Sequence, residues 1–433
     1  MSTQNNRPRN DKYLKLLNSE LILALGCTEP VAIAYASALA RSILPGEIKH
    51  ISVTVSPSIF KNAMGVYVPN ANGLKGVEAS ALLGALGGDP NGKLEVLSTI
   101  TDEDREATYN ALGTGLCSVH LYEEGELFHI LVEIEGEGHS SLVEIAGSHT
   151  NVIRIEVDGQ QKATPTTMIT TEKEDEVFNT SFSDIYHFIT TVEIDKISPL
   201  MSQQVITNEK IALEGLKGSW GSEIGKTLLQ MHGSGTQNYA RALAAAGSDA
   251  RMGGCDLPVM INSGSGNQGL TASLPVIVHA RAMDKSDEET WRALALSNLI
   301  AIHLKKNIGN LSAYCGVVSA AAGTAAALAY LNGQSQEVIE KAVVNTLSTT
   351  SGVICDGAKA SCAAKIASSI DAAHLGYALA SQSKSFAPGE GITQDGVDQM
   401  TKVVGHLAQV GMRETDKQIL AIMMKKEPVA ILT

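Results

Sequence analysis

Three cysteines, Cys315, Cys355 and Cys362, are the residues whose type and spacing most clearly invite chemistry. Ser312 heads a long alanine-rich run and predicts a capped helix start with Cys315 in its first turn. Ser361 predicts a second cap with Cys362 immediately inside it, and Cys355 falls in the glycine-containing loop between the two. Helix starts offer free backbone N–H groups and the positive end of the helix dipole, so thiolates sharing an anionic cluster are favoured there. No cysteine follows Cys362. Three thiolates with an empty fourth place suit a cubane iron–sulfur cluster whose open iron acts as a Lewis acid. A structural zinc site fits less well, because the chain has no C-x-x-C and no H-E-x-x-H.

Cys27 is the next thiol of interest. It lies in Gly26-Cys27-Thr28-Glu29-Pro30, between helical periodicity over residues 12–24 and a second helix capped by Thr28 with Pro30 in its first turn. A thiol at a helix start has its pKa lowered. The bland alternative is a small buried hydrophobe, and the flanking glycine and proline tilt the reading towards function. Cys117 opens a predicted strand and reads as core, while Cys255 has no partner at useful spacing and reads as structural. The histidines are scattered, and a lone one such as His374 reads as a core or surface residue.

Residues 260–270, MINSGSGNQGL, satisfy G-x-G-x-x-G literally. Dinucleotide binding needs a βαβ setting, and here prolines and helical patterns surround the motif. A loop of Gly, Ser, Asn and Gln with bare N–H groups is equally a nest for a carboxylate, to which Ser265 and Asn267 could add side-chain bonds. Lys61 and Asn62 fall in a predicted loop, where a solvated turn is the simpler reading.

These residues need elements to position them. Alternating runs between residues 48 and 160 (among them LEVLSTI, CSVHLYEE, LFHILVEIEG, SLVEIAGS and NVIRIEVDGQ) predict antiparallel strands. From SFSDIYHFITTV onward nearly every run has helical period. The fold class is therefore an α+β N-terminal domain, 1–165, carrying the Cys27 loop, a linker at 166–180, and an all-α domain over 181–433. Aromatics are only 4% and glycines number 40, which predicts helices approaching closely around a site. A net charge of −13 without a basic stripe argues against nucleic acid as a partner. The N-terminal residues lack the apolar core of a secretory signal, and the run from Cys315 to Leu331 is too short and polar for a membrane span. A cytoplasmic protein with reduced thiols and no membrane partner is expected. Self-association as a homo-oligomer is left open.

Three features together resemble the iron–sulfur L-cysteine desulfidase family, relatives of the α-subunit of iron–sulfur L-serine dehydratases. They are Glu20 to Pro30 (E-L-I-L-A-L-G-C-T-E-P), Asn262 to Gly269 (N-S-G-S-G-N-Q-G), and the set Cys315, Cys355 and Cys362. The resemblance spans essentially the whole chain. It implies β-elimination from L-cysteine to pyruvate, ammonia and hydrogen sulfide. It also implies a [4Fe-4S] cluster with three cysteine ligands and one open iron, without pyridoxal phosphate. Carried over residue by residue, the ligands are Cys315, Cys355 and Cys362 and the catalytic base is Cys27. Ser263–Gly269 would then grip the carboxylate of the amino-acid substrate, with Asn62 reaching the same pocket. The same machinery acting on L-serine is the nearest rival. A non-catalytic redox or cysteine sensor is a rival of another class, and a pyridoxal phosphate lyase using Lys359 lacks the scaffold expected for it.

Overall fold

The structure, a computed structural model, describes residues 7–122, 128–163, 180–309 and 312–424. The first helix, α1 (Arg7–Glu20), buries Tyr13, Leu16 and Leu17. It stops short of the predicted run, because residues 23–25 leave it to form β1 (Leu23–Leu25). After Gly26 and Cys27 comes α2 (Thr28–Ile43), with Cys27, not Thr28, at the capping position.

Six strands make the main sheet. They are β2 (His50–Val55), β3 (Cys117–Leu121), β4 (His129–Glu135), β5 (Ser140–Ala146), β6 (Val152–Val157) and β7 (Gln160–Gln161), in the order β3-β2-β4-β5-β6-β7. All neighbours are antiparallel except β2 and β3. A parallel pair needs a crossover, supplied by α3 (Pro57–Ala63), α4 (Gly76–Gly87) and α5 (Asp102–Ala111). The strand period of two puts Ile51, Val53 and Val55 on one face beside Ile130, Val132 and Ile134, all fully buried. The helices α2 and α4 pack on this sheet, and burial of each such side chain stabilises the fold by about 1.5–3 kcal/mol. Two expectations fail here. LEVLSTI is not a strand, since a 3₁₀ segment, Pro90–Glu95, runs into turns there while Leu94, Val96 and Leu97 still reach the core. Lys61 and Asn62 are not in a loop, since Ser56 accepts from the Ile59 N–H at 3.4 Å and starts α3 with Pro57 in its first turn.

Beyond residue 181 the described chain is helical, as expected, apart from β8 (Pro258–Met260). The helices are α6 (Phe182–Thr191), α7 (Ser198–Lys217), α8 (Ile224–His232), α9 (Thr236–Met252), α10 (Gly266–Ala282), α11 (Asp287–Ile308), α12 (Gly316–Leu331), α13 (Gln336–Thr350), α14 (Cys362–Ser381), α15 (Gly396–His406) and α16 (Arg413–Met423). The alanine-rich α12 packs against α10, α11, α13 and α14. Small residues let the backbones close in. Thr324 Oγ1 donates to Thr271 O and Ser297 Oγ to Ala272 O, each at 2.7 Å across a helix interface.

The strands β1 and β8 pair antiparallel, Leu25 opposite Pro258. This short ribbon lays the Cys27 loop beside the glycine-rich loop, and each loop opens a helix. A strand therefore does precede the glycine motif, but it belongs to a two-stranded ribbon and not to a βαβ unit. Of the expected linker, residues 166–179 lie outside the described residues. Ahead of it, α1 packs on α6 and α11, so the N-terminal segment is shared with the helical part. Among the described residues no helix is long and apolar enough to cross a membrane.

Candidate active site

A cavity of about 100 Å³ lies where α2, α3, α10, α12 and α14 begin or meet. By the ~30 Å³ share of a water in the liquid, it has room for roughly three waters. Its walls include Cys27, Asn62, Ser265, Asn267, Cys315, Cys355 and Cys362, which are all the site residues singled out from the sequence. The other two cysteines stand apart from it. Burial pushes Cys117 up to about 12 and Cys255 up to about 11, so both stay protonated.

Cys27 is placed by its loop. Gly26 has φ +50°, and a Cβ there would come within 2.2 Å of Pro69 Cγ, so only glycine fits. Arg251, at the end of α9 and 2% exposed, donates from Nε to Gly26 O at 2.7 Å and pins the turn. Cys27 Sγ donates to Glu29 Oε2 at 3.1 Å. Thr28 Oγ1 lies 3.1 Å from the same oxygen and donates to Gly264 O at 2.8 Å, linking the two loops. Asn62 Nδ2 donates to Glu29 Oε1 at 3.2 Å, so Asn62 reaches the cavity by holding this carboxylate.

Electrostatics here overturn one expectation. Burial, then the charge of Glu29 and its hydrogen bond, push the Cys27 thiol well above its ordinary value, against the pull of Arg251. The helix start does not yield a resting thiolate; burial beside an anion outweighs it. Burial would also raise Glu29, but His149, the Cys27 hydrogen bond and Arg251 outweigh that and bring it below the ordinary value. Burial keeps His149 itself below its ordinary value, while the charge of Glu29 pulls it the other way.

The three clustered cysteines come together through a backbone bridge. Tyr314 pairs with Ile354, the Cys315 N–H donates to Val353 O at 3.1 Å, and the Cys355 N–H donates to Ala313 O at 2.6 Å. Cys315 itself caps α12, whereas Ser312, the expected cap, accepts from the Tyr314 N–H and donates to Ala408 O. Cys362 is the first residue of α14 behind Ser361, as the sequence predicts. The three thiols lie within electrostatic reach of one another; burial first, then the neighbouring cysteines, push Cys315 and Cys362 up. Such thiols ionise only when a metal centre compensates them. Cations are at hand. Lys365 pairs with Asp356 and donates to Ile354 O, and Lys61 donates to Cys355 O at 3.3 Å while pairing with Asp416. Lys305 is 7% exposed and lines the cavity.

Among the described residues no three Cys, His, Asp or Glu side chains are grouped as around a single metal ion. An iron–sulfur cluster asks for a different arrangement, with one thiolate on each of several irons. Three thiols lining one cavity, with the Lys365 charge acting on Cys315 and Cys362, fit that requirement. Lys359 is tied to Asp356 and to Gly357 O, so it is not a free amine facing the cavity.

Glu29, Arg251 and Lys305 also line the cavity and have no role in the sequence reading, whereas Gln268 falls in the Ser263–Gly269 loop expected to grip the carboxylate. Glu29 and Gln268 stand inside the two quoted motifs, where position beside Cys27 and Asn267 was the available signal. Arg251 and Lys305 belong to no motif, and only the fold brings them in.

A family model described as the serine dehydratase alpha chain matches residues 91–421. A UPF0597 protein of Lachnoclostridium phytofermentans is 47% identical over 421 residues, covering 95% of this chain and 99% of its own length. A UPF0597 protein of Finegoldia magna is 42% identical over 415 residues, with 96% and 99% covered. A third, from Treponema denticola, is 40% identical over 442 residues, with 97% and 99% covered.

Proposed function

The chain belongs to the serine dehydratase alpha chain family, and from that premise we propose that it is an iron–sulfur lyase eliminating the β-substituent of L-cysteine. The products are pyruvate, ammonia and hydrogen sulfide. The observation that carries this reading is the convergence of Cys27, Cys315, Cys355 and Cys362 on one cavity with a buried, ionised carboxylate beside Cys27. A cluster on Cys315, Cys355 and Cys362 would supply an iron without a protein ligand, a Lewis acid for the departing sulfur.

The protein's own groups do the rest. The first-turn N–H groups of α10, with Ser265 at its cap, face an anion-binding end and hold the substrate carboxylate. Arg251 adds positive charge to the same cavity. Cys27 must lose its proton before it can accept one, and Glu29 at 3.1 Å is the acceptor available. The resulting thiolate takes the Cα proton, the C–H electrons form the Cα–Cβ double bond, and the C–S bond breaks with its electrons on sulfur. The enamine product tautomerises and is hydrolysed by water to pyruvate and ammonium. Asn62 keeps Glu29 in place through this exchange.

L-serine with water as leaving group is the second reading, favoured by the description of the family. Two variants test the assignment of roles. Cys355→Ala is expected to lose bound iron and turnover together, whereas Cys27→Ser keeps the iron and loses turnover. Full iron binding by Cys355→Ala, or full turnover by Cys27→Ser, would overturn the corresponding role.

A further inference from the structure

Asn267 and Gln268, which line the cavity, each carry a buried amide oxygen without a donor. Asn267 and Gln268 are 7% and 3% exposed, and neither Asn267 Oδ1 nor Gln268 Oε1 receives a hydrogen bond. Buried amide oxygens are nearly always paired, so two orphans on consecutive residues mark a place where a donor is missing. Both stand in the first turn of α10, next to the N–H groups that suit a carboxylate. The Gln268 amide also lies close against the start of α12. Gly316, the first residue of α12 and neighbour of Cys315, lies against it, and a Cβ there would come within 2.7 Å of Gln268 Cδ and 2.9 Å of Oε1.

We infer that Asn267 Oδ1 and Gln268 Oε1 receive the α-ammonium group of the substrate, with Gly316 making room for the Gln268 amide. This deepens the reading of the cavity as an amino-acid site and rests on it. An ammonium is a donor of three hydrogens and no acceptor, the match for two oxygens without partners. Glu29 is the alternative anion on the wall, but its oxygens already face Cys27, Thr28 and Asn62. The consequence is specificity. An acid of the same shape without the amino group would leave both oxygens unpaired, and sites built around a substrate N–H reject such analogues strongly.

The test is calorimetric binding to the iron- and sulfide-reconstituted full chain, without oxygen, using L-alanine and propionate. Neither carries a leaving group, so binding is read apart from turnover. Wild type should bind L-alanine at least ~100-fold tighter than propionate. Gln268→Leu should cut that ratio by ~10- to 100-fold with propionate affinity unchanged. Gly316→Ala should reduce the ratio with the glutamine still present, by displacing its amide. If Gln268→Leu does not reconstitute, Asn267→Leu carries the same comparison. Variants that weaken both ligands equally, or leave the ratio as in wild type, would overturn the assignment. A wild-type protein that binds neither ligand and turns over no amino acid would instead overturn the lyase reading beneath it.

Discussion

Replacing Glu29 by glutamine separates two roles that the same geometry allows. The substitution keeps the shape of the side chain and one of the two acceptor oxygens that Cys27 and Asn62 now share between them. It removes the charge. If Glu29 accepts the Cys27 proton, the variant loses general-base assistance, a factor of ~10²–10⁴. At 1.36 kcal/mol for each tenfold step this is roughly 2.7–5.4 kcal/mol on the barrier. The loss should fall on kcat, with KM little changed, because Glu29 faces Cys27 and not the carboxylate end of the cavity. The opposing effect is also legible in the structure, since the Glu29 charge is one of the causes raising the Cys27 thiol. Were suppression of the thiolate its only role, removing that charge would lower the Cys27 pKa and raise kcat at neutral pH. The assay is anaerobic release of sulfide and pyruvate, with iron per chain measured on the same sample. A kcat equal to or above wild type at full iron content would refute the relay.

Two further outcomes follow from other parts of the fold. His279 Nε2 and His374 Nε2 lie 3.0 Å apart between α10 and α14. Burial, with His279 and Arg241 adding to it, holds His374 down to about 3. A folded pKa below the unfolded value of about 6.5 contributes stability that is present above pH 6.5 and is lost as pH falls towards 3. At pH 5 the loss is about 2 kcal/mol, and denaturant unfolding at pH 7 and pH 5 should show it diminished in His374→Gln; equal losses in both proteins would contradict it. Lys61 is 2% exposed, and it joins Asp416 of α16 to the carbonyl of Cys355. Lys61→Met should cost about 1–3 kcal/mol through the orphaned groups and expose α16 to protease, and a wild-type melting temperature and cleavage pattern would rule this out.

What the sequence shows of the site is its list of thiols, and what it hides is their setting. Cys315 and Cys362 at helix starts are readable because serine caps and an alanine run are local signals. Ser312 misleads by one turn, since it spends its hydroxyl on the Tyr314 N–H and on Ala408 O, a contact only the fold creates. Cys27 shows the deeper limit. Its helix start is visible locally and points to a low pKa. Its burial in the assembled fold and the charge of Glu29 beside it decide the opposite. The β-rich and helical halves are legible from their periods of two and 3.6. The pairing of β1 with β8, which sets the Cys27 loop and the glycine-rich loop side by side, is not, because strands of three residues leave almost no pattern.

The most direct test of the proposed chemistry is a single anaerobic experiment on the reconstituted full chain. Iron content and the visible sulfur-to-iron band are recorded, and sulfide and pyruvate are then followed with L-cysteine and, separately, with L-serine. The expected result is a bound cluster, with sulfide and pyruvate released in equal amounts from L-cysteine and little pyruvate from L-serine. Pyruvate from L-serine alone would move the assignment to the dehydratase reaction. A protein that binds no cluster, or binds one and turns over neither amino acid, would contradict the proposed function.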